Sequence, residues 1–209
     1  MEIDSGHTRG IPTHRHFPIE RMNALTDGVF AIVLTLLVLE LKLPEKDEPV
    51  LTLIANDWHV FLAWLISFMA IARFWLVHHS VTSGMVRCHT VTLALNFAVL
   101  GAVSLVPFSA DIIGTERVSE PWSTVVFAAN IALLSLTVGL MARHAEREPH
   151  LLDPEHPIAV LGLHRTHHLY LLPAIAVAAA ALAFVAPYLS VLILTAEFVT
   201  FGWRGSRHL

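Results

Sequence analysis

Long apolar runs are the feature of this chain that most restricts its fold. A helix needs roughly 20 apolar residues to cross a hydrocarbon core about 30 Å thick. Six runs approach that length, so each is predicted to form a transmembrane helix. In order along the chain they are residues 24–41, 58–77, 91–113, 122–142, 169–186 and 188–203, with Pro187 between the last two.

Composition supports the same class of protein. Hydrophobic residues make up 55% of the 209 residues and charged residues only 14%, whereas soluble domains carry about 25% charged residues. The segments between the runs are too short for a soluble domain of useful size. We therefore expect an all-α polytopic membrane protein with a six-helix transmembrane domain at 24–204, between tails at 1–23 and 205–209.

The basic residues predict how the chain lies in the membrane, because Lys and Arg concentrate on the cytoplasmic side. Nine arginines lie in the N-terminal tail, in the second-to-third and fourth-to-fifth connections and at the C-terminus. The opposite side holds only Lys42, Lys46 and Arg117. Both termini are therefore predicted to be cytoplasmic.

Ionisable residues inside a span are costly and are candidates for function. Asp27, Glu40, Arg73 and Glu197 are of this kind. By the predicted orientation Asp27 lies at the cytoplasmic depth of three other polar residues on neighbouring spans, namely His78, His79 and Asn96. These four are predicted to form one hydrogen-bonded cluster, which either joins the helices or takes part in function.

The first run has two distinct sides when it is drawn as a helix with about 100° per residue. Leu25, Gly28, Ile32, Thr35 and Leu39 fall on one side and form a smooth stripe. Asp27 lies about 140° from Ile32 by the same geometry. If Asp27 anchors the helix within its own protomer, the stripe is free to face something else. Ordinary helix packing and the lining of a pore narrowed by apolar rings both fit.

The same stretch resembles the potassium-channel family called transmembrane protein 175. The family's first span carries Arg and, after three residues, Phe-Ser-Asp. Arg21 and Asp27 match that motif, and Leu25-Thr26 stands where Phe-Ser is expected. The stretches "DGVFAIVLTLLVLELKLP", "SFMAIARFWLVHHS", "LNFAVLGAVSLVPFSADIIG" and "LAFVAPYLSVLIL" are similar to the bacterial branch.

The resemblance implies a homotetramer of six-span subunits in a prokaryotic cell membrane, with four first helices around a cation pore. It places the narrow point at Ile32, with Thr35 and Leu39 also facing the pore, and it implies K⁺ as the permeant ion and no cofactor. It also places Asp27 in a polar network with His78 and His79. Thr26 keeps a hydroxyl where the family has Ser. Arg21, on the side of the stripe, either anchors to lipid headgroups or acts at the pore mouth.

A different class of protein competes with the channel. The segment His164-Arg-Thr-His-His168 fits the His-x-x-His-His box of membrane di-iron desaturases and hydroxylases. Imidazole suits a redox iron, but the chain offers no second box with matching spacing. His164 and His168, four residues apart, are weak candidates for a metal site. A membrane scaffold without transport activity is the third possibility.

Overall fold

The computed structural model describes residues 18–41, 58–114, 120–154 and 164–205, together with Thr52 and Gly162. These residues are helical except at short connections, and none of them forms a β-strand. The predicted all-α fold is thereby confirmed. Most of the two predicted tails, residues 1–17 and 206–209, lies outside the described residues, so the domain boundaries stay predictions.

Each of the first two helices extends past one end of its apolar run. Helix α1 covers Ile19–Leu36 and continues as a 3₁₀ turn, Leu37–Glu40. Helix α2 covers Trp58–Thr82, so the helix continues past the predicted end of the second span through His78 and His79. In α1 the extension precedes the run, at residues 19–23, and in α2 it follows the run, at residues 78–82. A helix bonds its own backbone whatever the surrounding solvent, so polar residues can continue it.

The third span is broken and the fourth is long. Helix α3, Thr90–Ser104, is followed after Leu105 by α4, Val106–Gly114. Pro107 lies at this break, where it lacks the N–H that would continue the helical ladder. Helix α5 covers Pro121–Arg147 and begins with proline in its first turn, the position where a missing N–H costs least.

The last two spans form a helical pair. A π-helical segment, His167–Leu171, leads into α6, Leu172–Leu182, and α7 covers Pro187–Gly205. Among the described residues, four segments are long and apolar enough to cross a membrane, namely Ile19–Leu39, Trp58–Thr82, Thr90–Gly114 and Pro121–Arg147. The predicted break before Pro187 is present. The fifth and sixth predicted spans are not among these four.

Helix α5 lies at the centre of the protomer and α1 at its edge. In the most apolar 18-residue window of each span, 61% of α5 is buried but only 28% of α1. Helix α5 packs against α3, α4 and α6, whereas α1 packs against α2 and α3. A second apolar cluster, which includes Met22, Val81, Cys88 and Met141, joins the ends of α1, α2 and α5. Most of the surface of α1 is therefore free of contact within one chain.

Candidate functional site

Helix α1 presents one narrow side to its own protomer. The buried residues of this helix and of the turn that follows it are Ile19, Met22, Thr26, Phe30, Val33 and Leu37. They recur at the spacing of a single helix face. The rest of the helix is exposed or half-buried.

The stripe predicted from the sequence lies on the exposed side of α1. Leu25 is 46% exposed, Ile32 59% and Leu39 73%, and Gly28 and Thr35 are exposed as well. The Thr35 hydroxyl donates to the Ile32 carbonyl at 2.7 Å, so its oxygen stays at the surface of the helix. The structure therefore brings the five residues together on one free surface. That this surface lines a pore stays a prediction.

Behind α1, Thr26 is held by a buried chain of hydrogen bonds. His78 Nε2 lies 2.8 Å from Asn96 Oδ1, Asn96 Nδ2 donates to Thr26 Oγ1 at 3.0 Å, and Thr26 Oγ1 donates to the Met22 carbonyl at 2.9 Å. Thr26 and Asn96 are at most 1% exposed and His78 is 3% exposed. These bonds join α1, α2 and α3 at one depth.

Asp27 does not belong to this chain of bonds. It is exposed, and its carboxylate accepts a hydrogen bond from Trp75 Nε1 at 2.8 Å. The Trp75 ring in turn stacks on His79, with ring centroids 5.6 Å apart and planes 19° apart. The predicted single cluster of Asp27, His78, His79 and Asn96 is thus corrected to two groups. Successive residues of a helix point about 100° apart. Thr26 therefore points into the protomer, and Asp27 lies at the edge of the contact between α1 and its neighbours.

Arg21 is exposed in the first turn of α1. By the same 100° spacing it lies on the side of Ile32 and Leu39. This position agrees with the sequence prediction and leaves both of its proposed roles open.

His164 and His168 each contact a serine of a different helix. His164 Nε2 lies 2.9 Å from Ser80 Oγ, and His168 Nδ1 lies 3.1 Å from Ser135 Oγ. His168 is fully buried. Burial lowers the pKa of His164, and the neighbouring His167 and Arg73 lower it further. Among the described residues, no group of three or more His, Cys, Asp or Glu could hold a metal ion.

Two features of the structure were not predicted from the sequence. Trp75 is the partner of Asp27, and nothing in the sequence distinguishes it from the other tryptophans. Arg73 and Glu197 were singled out separately as charges within spans, but the structure pairs them at 3.3 Å. His167 is part of the same contact.

The part of the chain that holds α1 and its polar contacts matches a known protein family. Residues 21–107 match the family described as "Endosomal/lysosomal potassium channel TMEM175". A potassium channel of Streptomyces collinus is 34% identical over 140 residues, which are 64% of this chain and 68% of that protein. The chain belongs to the TMEM175 family. A potassium channel of Chamaesiphon minutus is 31% identical over 139 residues, covering 63% and 68% of the two proteins.

Solved structures of the family share the fold. The crystal structure of a TMEM175 homolog from Chamaesiphon minutus, described as a lysosomal potassium-selective channel homolog, matches with a TM-score of 0.77 at 26% identity. The match covers 89% of this chain and 97% of that one. A second potassium channel structure, MtTMEM175 in complex with a nanobody fusion, matches with a TM-score of 0.64 at 17% identity and supports the fold alone.

Membership of the family decides between the classes weighed from the sequence. The resemblance to transmembrane protein 175 is confirmed, and the chain is a potassium channel by family rather than an enzyme. The matched residues 21–107 include α1 with its stripe and both polar groups behind it. Leu25 and Thr26, which stand where the resemblance expects Phe-Ser, differ in burial: Leu25 lies on the exposed stripe and Thr26 in the buried network.

Proposed function

We propose that four copies of this chain assemble around a central axis, so that the stripe of α1 from each copy lines a potassium-permeable pore. The observation that supports this most is the exposure of the stripe on the least buried span of a chain in a potassium-channel family. A homotetramer gives each exposed stripe the same surroundings, since closed rotational symmetry is the usual arrangement of homo-oligomers.

The chemistry of the stripe favours a hydrophobic constriction over a cage of carbonyl oxygens. Ile32 and Leu39 would form apolar rings that restrict water, and rings of this kind gate pores by dewetting. Four Thr35 hydroxyls between them would replace part of the ion's water shell. From Leu25 to Leu39 the stripe carries no charged side chain. Selectivity among monovalent cations should accordingly be modest.

The remaining assignments follow from the family and from the charge distribution. The channel would lie in the cell membrane of a prokaryote, with both termini on the cytoplasmic side where the arginines concentrate. Its partners would be three further copies of the same chain, the surrounding lipid and permeant K⁺. The Asp27–Trp75 and Thr26–Asn96–His78 contacts would hold α1 so that the stripe faces the axis.

Potassium flux into liposomes tests the channel and its constriction together. The Ile32→Asn variant should conduct severalfold faster than the unmodified protein, because a polar ring at the constriction lowers the cost of wetting it. Val177→Asn is a matched control, since Val177 is 67% exposed on α6 and Ile32 59% exposed on α1. The control should leave the flux unchanged.

Other outcomes have distinct meanings. Flux that does not respond to Ile32→Asn would retain the channel and reject Ile32 as the narrow point. A well-folded tetramer without any potassium flux would reject the channel itself and favour the scaffold.

A further inference from the structure

A buried ionic cluster lies on the far side of α2 from α1. Arg73 Nη1 lies 3.3 Å from Glu197 Oε1, and His167 Nε2 lies 2.8 Å from the same oxygen. Arg73 Nη2 is also 3.3 Å from His167 Nδ1. The side chains of Arg73, His167 and Glu197 are 7%, 4% and 14% exposed. The cluster thus joins α2, the π-helical segment and α7 in one place.

Helix α7 contacts Arg73 through two successive residues. Besides the Glu197 carboxylate, the Phe198 ring lies beneath the guanidinium, with Arg73 Cζ 5.6 Å from the ring centroid. The Phe198 ring also meets Phe74 edge to face, with centroids 6.3 Å apart. Because the planar guanidinium has donors in fixed directions, these contacts define both the rotation and the depth of α2 against α7.

The opposite side of α2 carries the contacts that hold α1. With about 100° per residue, Trp75 and His78 lie about 160° and 140° from Arg73 around the helix axis. Trp75 donates to Asp27 of α1, and His78 bonds to Asn96, which bonds to Thr26 of α1. A rotation of α2 that broke the ionic cluster would therefore move both supports of α1.

Stability alone is a poor explanation for this cluster. Replacing a buried ion pair by well-packed apolar residues is often neutral or stabilising, and charges inside a span default to a functional interpretation. We propose that Arg73, His167 and Glu197 are positioning residues of the channel: they fix α2 against α7 and the start of the fifth span, and α2 thereby fixes the direction of the stripe on α1. This inference rests on the proposed function.

The test combines charge removal, charge exchange and a reporter on α1. Potassium flux is measured for Glu197→Gln, for Arg73→Glu and for the exchanged double variant Arg73→Glu/Glu197→Arg. Each is also made with Cys88→Ser and Thr35→Cys, so that a methanethiosulfonate reagent reports the accessibility of position 35. The Arg165–Glu146 pair, 2.6 Å apart and outside the cluster, supplies the control Glu146→Gln.

The expected result is a severalfold loss of flux and a changed modification rate at position 35 in both single variants. The exchanged variant should recover at least part of the potassium flux and of the original modification rate. Glu146→Gln should match the unmodified protein in both quantities. Recovery by exchange is not expected from a general packing defect, because it depends on the pair of charges.

Two results would overturn the proposal. One is unchanged flux and unchanged modification in Glu197→Gln protein that elutes as the native assembly. The other is an exchanged variant that recovers neither folding nor flux. A wrong assignment of the pore is recognised separately. In that case the methanethiosulfonate reagent would leave the flux of the Thr35→Cys protein with an intact cluster unchanged. The rate at which the reagent modifies position 35 would still report the direction of α1.

Discussion

Gly139 lies where α5 comes closest to the backbone of the π-helical segment. A Cβ atom at this position would lie 2.6 Å from Leu169 N and 2.9 Å from the His168 carbonyl carbon. Both are backbone atoms, so neither can rotate aside as a flexible side chain would. Close approach of two helices through small residues is a common form of packing in membranes, and here it places Ser135 within reach of the His168 carbonyl.

Substitution of this glycine should be costly. Gly139→Ala should lower the free energy of unfolding in detergent by about 1–3 kcal/mol, the usual range for overpacking. Gly101→Ala is the control: it also lies in a helix, but a Cβ there meets nothing within 4 Å. Alanine at 101 should be neutral or stabilise by about 0.5–1 kcal/mol, since glycine is unfavourable within a helix. Equal effects of the two substitutions would show that the backbone contact at Gly139 is not limiting.

Two successive histidines of the π-helical segment have different partners. In His167–Leu171 the helix takes an extra residue into its turn, and such segments are frequent at functional sites. His167 lies against Arg73 and Glu197, while His168 lies against Ser135 and packs beside Phe74, with ring centroids 5.5 Å apart and planes tilted by 55°. Spacing alone indicated a histidine box. In the structure the two rings meet edge to face, with centroids 4.7 Å apart, and each has its own polar partners.

At the scale of helices, α1 was predictable in part. The direction of the stripe depends on the rotation of one helix, which the sequence determines at about 100° per residue. The depth of Asn96 also follows from its place in its own span. The partner of Asp27 does not, because Trp75 lies on a different helix whose rotation relative to α1 the sequence does not reveal. Because that relative rotation is not visible in the sequence, the prediction assigned Asp27 to the buried network, whereas in the structure Thr26 points into the protomer.

The buried network between α1, α2 and α3 should behave as a unit. Asn96→Leu leaves the polar atoms of His78 and Thr26 without this partner, which should cost about 1–3 kcal/mol in the free energy of unfolding. Thr26→Val removes one of the same bonds. Since the residues share one network, the double variant should be less destabilised than the sum of the two single effects. Denaturant unfolding in detergent measures all three, and additive effects would contradict a coupled network.

At the scale of the whole chain, the apolar runs indicated where helices lie and in what order, although only four of the described segments are long and apolar enough to cross a membrane. They also indicated that the final two helices are separated before Pro187. The ionic cluster was beyond such reasoning. Arg73 and Glu197 are 124 residues apart, and their meeting depends on how α7 folds back on α2. Charges within spans could be recognised as unusual, but their pairing is a property of the assembled bundle.

An experiment can distinguish an assembly with α1 at its central axis from a chain whose α1 simply faces lipid. An apolar helix surface is compatible with lipid as well as with a partner, so the exposure of Ile32 does not distinguish the two. Around a shared axis, four copies of residue 32 would lie close together, whereas residues on the outer surface of the bundle would remain far apart.

In a Cys88→Ser background, Ile32→Cys should therefore form disulfide-linked dimers under mild oxidation. Val177→Cys, on α6, should remain monomeric on denaturing gels. Equal linkage at both positions would indicate random collision in the membrane, and linkage at Val177 alone would place α6 rather than α1 at the axis.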